Sequence, residues 1–461
     1  MFNLRNKLEA DPEKRYIKMT TEPVARLIIS MAIPAIFSQI VTSLYNLADT
    51  FFVSSLGTAA TAATGIAFPI MLFIQAVSLM LAIGSGSLAA RQLGQKNTDS
   101  ANTTISTAFF ISVFVGTAIG IVSLVFLKPL MILCGATETI LPYAYDYAFW
   151  IIIATPFYSA TFVLAHVVRQ EGNVRLATIG TVAGAVLNCA LDPLLIFGFK
   201  MGIVGAAVAT SLSQIVSFLI LFSHIAGDKC VLKLRWKYFH PDKKTLAEII
   251  KVGSPNLFQS VLLVVGQILL NNAARVYGDA PLAGMNIVTK ISHIIILSLN
   301  GFGQGFQPMC GYCYGARMYK RVKEGFWFTI RVGLLVIVAL SLVAFVFSDQ
   351  IIGVFNSYQN ADVQRIGKLI LRAQLLVMPF VTITTVTNML FLSCGKALKA
   401  GTIALARNGI VFFPLIIILP RLFQLNGVIV AQPVADAITF VIGLLMLADE
   451  LRKMNALEKA L

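Results

Sequence analysis

The chain alternates between long apolar runs and short breaks that carry charge, glycine or proline. A hydrocarbon layer about 30 Å thick takes roughly 20 residues of helix at about 1.5 Å each. Twelve runs meet that length: approximately 25–54, 59–92, 101–128, 141–168, 174–197, 202–226, 246–277, 281–315, 322–347, 365–394, 399–420 and 427–450. Several are longer than a perpendicular helix needs, so tilt is expected. The pattern predicts an all-α integral membrane protein with twelve transmembrane helices.

Composition agrees with the pattern. Of 461 residues, 57% are hydrophobic and 12% charged, where soluble domains carry roughly 25% charged. Disordered, collagen-like and disulfide-stapled classes are excluded on the same figures. The net charge of +15 follows the breaks between runs. With the N-terminus placed inside, the alternate breaks on that side hold 25 Lys and Arg, against six on the other. The positive-inside rule then sets both termini in the cytoplasm and the chain in a cell membrane. The basic charge is a topology signal and gives no reason to expect nucleic acid.

Residues 1–24 are charged, without the apolar core of a signal peptide, and read as a solvent-facing cytoplasmic segment. Thr21, Glu22 and Pro23 then supply a helix start. Residues 227–245 form a basic cytoplasmic linker and 451–461 a cytoplasmic tail. Between them, residues 25–226 and 246–450 make two lobes of six spans, related as a repeat. Pro34, Gly57 and Gly94 recur as Pro255, Gly278 and Gly315 at an offset of 221 residues. Gly172 recurs as Gly395 at 223, and Gly202 as Gly427 at 225. An even number of spans per repeat makes the repeats parallel, and two such bundles around a central cavity suit alternating access.

Ionisable groups inside a bilayer are costly and demand an explanation. Asp49 lies eight residues before Gly57, Asp192 eight before Lys200, and Thr210 eight after Gly202. At 1.5 Å per residue all three lie about 12 Å below the outer surface. Asn188 shares a helix face with Asp192 one turn deeper, and Pro193 frees the carbonyl of Cys189. Asp49, Asn188, Asp192 and Thr210 together offer hard oxygen ligands suited to a proton or Na⁺. In the second half, Asp436 is the clear intramembrane acid. It either joins a site or bonds a neighbouring helix near Pro433. Gln267, Asn271, Asn300, Gln304, Gln307 and Asn388 divide between ordinary helix–helix hydrogen bonds and the lining of a substrate cavity. The run Gly301-Phe-Gly-Gln-Gly-Phe reads as a closely packed or flexible part of the eighth span, and Cys310-x-x-Cys313 as packing at i, i+3. No nucleotide-binding, metalloprotease or nucleophile-elbow motif occurs, so the chain is not expected to be an enzyme or to use a cofactor.

Pro34, Asp49-Thr-Phe-Phe-Val, Leu56-Gly57, Arg91-Gln-Leu-Gly94, Gln170-Glu-Gly-Asn173 and Asn188-x-x-x-Asp192-Pro193 resemble, in order, the multidrug and toxic compound extrusion (MATE) family. The resemblance covers nearly the whole chain. It implies efflux of amphipathic cationic drugs or metabolites by a monomer, in exchange for inward H⁺ or Na⁺. It further implies that Asp49, Asn188, Asp192 and Thr210 form the first-lobe cation site, with Tyr45 and Asn46 beside it. Beyond Glu248 at its cytoplasmic end, the first span of the second lobe lacks acids, as does the fourth, which favours the DinF-like branch, with coupling in the first lobe. The rival within the superfamily is a lipid-linked oligosaccharide flippase, which would want basic residues in the cavity. Lys290 and Arg331 are candidates, with Arg372 and Arg407 nearer span ends.

Overall fold

The computed structural model describes residues 11–227, 230–355 and 360–460. The first ten residues of the N-terminal segment, two residues of the linker and Leu461 lie outside that description. The chain divides into two compact units, Met1–Glu22 with Ser30–Gly253, and Pro23–Ile29 with Ser254–Leu461.

The first unit contains α1 (Pro12–Thr21), α2 (Val24–Ser54, from Ser30 onward), α3 (Thr58–Gly94), α4 (Thr98–Val125), α5 (Leu127–Leu133), α6 (Leu141–Ile153), α7 (Thr155–Gln170), α8 (Val174–Pro193) and α9 (Ile203–Ala226). The second contains most of α10 (Lys243–Arg275), then α11 (Asp279–Gly315), α12 (Tyr319–Val346), α13 (Ser348–Phe355), α14 (Ala361–Ser393), α15 (Ala397–Leu405) and α16 (Phe412–Lys459). No strand occurs among the described residues. Among the described residues, ten helical segments are long and apolar enough to cross a membrane, and the bent pair α6–α7 makes an eleventh. The last segment holds two spans, because α16 breaks at Gln424, where φ is 49°. Gly427 there comes back against the backbone of Leu419 and Pro420, a tight reversal.

Two boundaries differ from the sequence reading. The fourth span, expected as one helix over 141–168, bends by 52° at Ala154. Pro156 follows in the first turn of α7, where it has no N–H to give and its ring crowds the preceding turn. The N-terminal segment is only partly solvent-facing. Asp11 caps α1 by accepting from Glu13 N at 3.0 Å, and Arg15, Met19 and Thr20 are buried. Arg15 Nη1 donates to Gly172 O at 3.2 Å, and Leu232 N, from the linker, donates to Glu171 Oε2 at 3.2 Å. Helix and linker thus meet on the turn between α7 and α8.

The repeat is visible in the backbone. Gly57 and Gly278 both have positive φ, 110° and 105°, in open surroundings, so conformation rather than space asks for glycine there. Lys96 and Arg317, 221 residues apart, end α3 and α11 at φ 59° and 58°. Their turns match as well, Asn97 N donating to Gln92 O and Met318 N to Cys313 O. Gly172 and Gly395 repeat the pattern at 90° and 72°.

Large apolar side chains such as Val125, Leu133, Leu335 and Val346 are exposed on the outer faces of these helices, where lipid is the natural solvent. Inside the units, small residues allow close approach. The run at Gly301 lies in α11 and is closely packed, Gly303 resting against Met389 of α14. In the first unit Gly84 of α3 meets the carbonyl of Ile249, and Gly253 meets that of Met80.

Candidate functional site

The polar centre of the first unit gathers α2, α6, α8 and α9. Pro193 ends the regular part of α8, and the next five residues, Leu194–Gly198, form a π-helical turn, a form frequent at functional sites. Pro193 has no N–H for the carbonyl of Cys189, which loosens the backbone beside Asp192. Asn188 and Asp192 are both buried. With the Asn188 amide in its satisfied orientation, Nδ2 donates to Asp192 Oδ2 at 3.2 Å, and Oδ1 accepts from Thr210 N at 3.2 Å and Thr210 Oγ1 at 3.3 Å. The amide therefore joins α8 to α9 and fixes one edge of the Asp192 carboxylate.

The other edge is open. Asp192 Oδ1 and Asp49 Oδ1 are both buried and accept no hydrogen bond from any described residue. The two carboxylates lie within electrostatic range of each other and of Tyr45 and Tyr147. No basic side chain pairs with either acid among the described residues. Beside Thr210 a cavity of about 20 Å³ is lined by Thr155, Tyr158, Ser211 and Gln214 as well, room for roughly one water molecule. The structure thus places Asp49, Asn188, Asp192, Thr210 and Tyr45 in one region. Asn46 is exposed, and its side chain makes no hydrogen bond among the described residues. Tyr147 escaped the sequence reading, since nothing in the pattern separates it from Tyr143 and Tyr145 nearby. Only the fold turns it inward, to 4% exposure.

The polar centre of the second unit is built differently. A second π-helical turn, Ala406–Ile410, follows α15 and carries Arg407. Arg407 Nε donates to Asp436 Oδ1 at 2.8 Å, across from α16. Gln432 Nε2 donates to the same oxygen at 3.2 Å, and Gln374 Nε2 of α14 to Oδ2 at 3.1 Å. Asp436 therefore bonds neighbouring helices, with an arginine as its principal partner. Arg407 lies ten residues into its span, well away from the end where the sequence reading put it.

Next to this pair lies a cavity of about 340 Å³, within the range of drug-sized sites. Gln267, Asn300 and Asn388 line it, together with Ser292, Gln374, Arg407 and Gln432. Asn271 accepts from Gln267 Nε2 at 2.9 Å, while Gln304 and Gln307, further along α11, do not line it. Of the basic residues weighed from sequence, Lys290, Arg331 and Arg372 are absent from its lining as well.

The MatE family model matches the chain twice, over residues 34–194 and 255–418, one match in each half. Among characterised relatives, the multidrug export protein MepA of Staphylococcus aureus (strain MSSA476) is 23% identical over 428 residues, covering 92% of this chain and 93% of that one. Among solved structures, a MOP superfamily transporter from Pyrococcus furiosus, described as having a binding pocket of reversed polarity, aligns with a TM-score of 0.87. It is 23% identical and covers 97% of this chain and 98% of its own. An outward-facing multidrug resistance MATE transporter aligns at 0.86 with 24% identity, covering 98% of both chains. The fold, the repeat and the twofold match agree: the chain belongs to the MatE family of membrane transporters, and it is not an enzyme.

Proposed function

We propose that the protein is a multidrug efflux antiporter of the cell membrane, with both termini cytoplasmic. It exports amphipathic cationic compounds in exchange for H⁺ or Na⁺ moving inward, and works as a monomer. The observation that carries this reading is the carboxylate pair Asp49 and Asp192, the first half-buried and the second buried, each with one buried oxygen lacking a donor and no basic partner among the described residues. Two such groups repel in a low dielectric, and a proton or a monovalent cation between them relieves the repulsion. Asn188 and Thr210 hold the site open on one side, and the loosened α8 backbone at Pro193 can follow the change. The multidrug names of relatives that match nine-tenths of the chain support the substrate breadth.

Ion and drug use one equilibrium, so each weakens the other by the same factor. One inward elementary charge supplies about 2.3 kcal/mol per 100 mV, enough for roughly a fiftyfold gradient at one-for-one exchange with a neutral drug. The test is efflux from proteoliposomes under separately imposed pH and Na⁺ gradients. At least one gradient is expected to drive export of ethidium, and Asp49→Asn and Asp192→Asn each to abolish that drive while the protein still reconstitutes. Full gradient-driven export by both variants overturns the reading. Movement of a lipid-linked glycan without any effect on ethidium would favour the flippase instead.

A further inference from the structure

The second-unit cavity has a polarity of its own. Asp436 is fully buried behind Arg407, and three donors already occupy its two oxygens. A cationic ligand in the cavity therefore has no free carboxylate there to meet. What the pair presents is the guanidinium. Arg407 spends Nε on Asp436, and its two terminal nitrogens make no hydrogen bond with any described residue. Neither is a buried orphan, and the side chain keeps 19% of its surface, so the free end of the fork opens into the cavity that Arg407 lines. A terminal fork of this kind matches a carboxylate with two parallel charge-assisted bonds.

Ser292, Asn300 and Asn388 add polar groups to the same wall. The rest of the wall includes Leu262, Leu270, Phe412 and Val428, surface for an apolar body.

We infer that this cavity is a binding site for drug-sized amphiphiles bearing a carboxylate, which Arg407 holds. Asp436 acts as a positioning residue: it fixes the guanidinium through Nε and leaves the terminal nitrogens for the ligand. The inference deepens the efflux reading by adding zwitterions to its cationic substrates. It is nonetheless a statement about binding, so it stands or falls without any ion gradient.

Rhodamine 110 and rhodamine 123 make the test, since they share one ring system and differ by a free carboxylate against its methyl ester. Their binding to the purified full-length protein is followed in detergent by fluorescence anisotropy. The wild type is expected to prefer rhodamine 110, and Arg407→Gln to weaken it by about tenfold or more while changing rhodamine 123 by less than about threefold. Arg407→Lys keeps the charge without the fork and should fall between. Should Arg407→Gln fail to fold with Asp436 left unpaired, the double variant Arg407→Gln/Asp436→Asn restores a neutral pair and must lose the preference equally. No preference in the wild type, or a preference that survives either variant, overturns the inference. Because no gradient is imposed, lost ion-driven efflux with an intact rhodamine 110 preference sinks only the antiport reading, and the converse sinks only this one.

Discussion

The polar centres of the two units occupy related places in the repeat and have opposite electrostatic states. Thr210 lies eight residues past Gly202 on α9, and Asp436 nine past Gly427 on α16. Each faces a helix that carries a π-helical turn. In the first unit two carboxylates stand together with an oxygen to spare on each. In the second, one carboxylate is answered by an arginine and two amides. A buried acid without a counterion is a group whose charge state can be changed by a small cation, whereas one held by Arg407 already has its cation built in. The comparison teaches that intramembrane acids cannot be ranked by depth or sequence spacing alone. Their partners decide.

The contrast can be broken most forcefully at the acid pair. Asp49→Asn or Asp192→Asn should lower gradient-driven transport in proteoliposomes by about a hundredfold, with thermal unfolding in detergent little changed. Next in size is Arg407→Ala, which strands Asp436 in the interior. Uncompensated buried charge costs about 3–5 kcal/mol, so unfolding temperature should drop sharply, and Asp436→Asn added to Arg407→Gln should recover most of the loss. An Arg407→Ala protein that melts with the wild type would show that the pair does not neutralise the site.

A finer test separates the walls of the first site from its charges. Thr210→Val removes the hydroxyl bonded to Asn188, a loss of about 1 kcal/mol, so the ion concentration for half-maximal transport should rise roughly fivefold. Thr210→Ser should leave it in place.

The smallest effect lies outside both centres. Burial raises the Glu171 carboxyl to about 7 from its ordinary 4.5, against the opposing pull of Arg15 and of the Leu232 and Val231 backbone N–H groups. An acid raised in the folded state stabilises the fold most at low pH, and that contribution fades as pH climbs from 4.5 through about 7. Hydrogen exchange in α1, corrected for its intrinsic rate, should therefore be a few-fold faster at pH 7.5 than at pH 5.5. Glu171→Gln should flatten the dependence. A pH response that survives in α1 of that variant belongs to another group.

Much of this was legible in the chain itself. The hydrophobic runs locate the helices because lipid leaves backbone groups no partner but one another. The recurring glycines reflect turns that need positive φ at equivalent places, as Gly57 and Gly278 demonstrate. The grouping of Asp49, Asn188, Asp192 and Thr210 follows from counting helical rise inward from one surface. What spacing could not reveal is which distant side chains meet. Arg407 and Asp436 are separated by 29 residues and a reversal at Gln424, so no periodicity links them. Tyr147 is hidden for a related reason, because its inward turn depends on which side of α6 the neighbours cover. The bend at Ala154 is marked in the sequence only by Pro156, since the apolar residues run on through it without a charged break between Asp146 and Arg169.

The crossing at Gly84 and Gly253 bears on how freely this gene can vary. Every missense change of a glycine codon adds at least one carbon, and at these positions that carbon falls on the backbone oxygen of Ile249 or of Met80. Unlike a side chain, a main-chain oxygen cannot turn aside. In a library of random single-nucleotide changes, these two codons should be among those that return the fewest functional clones, although neither touches an ion or a drug.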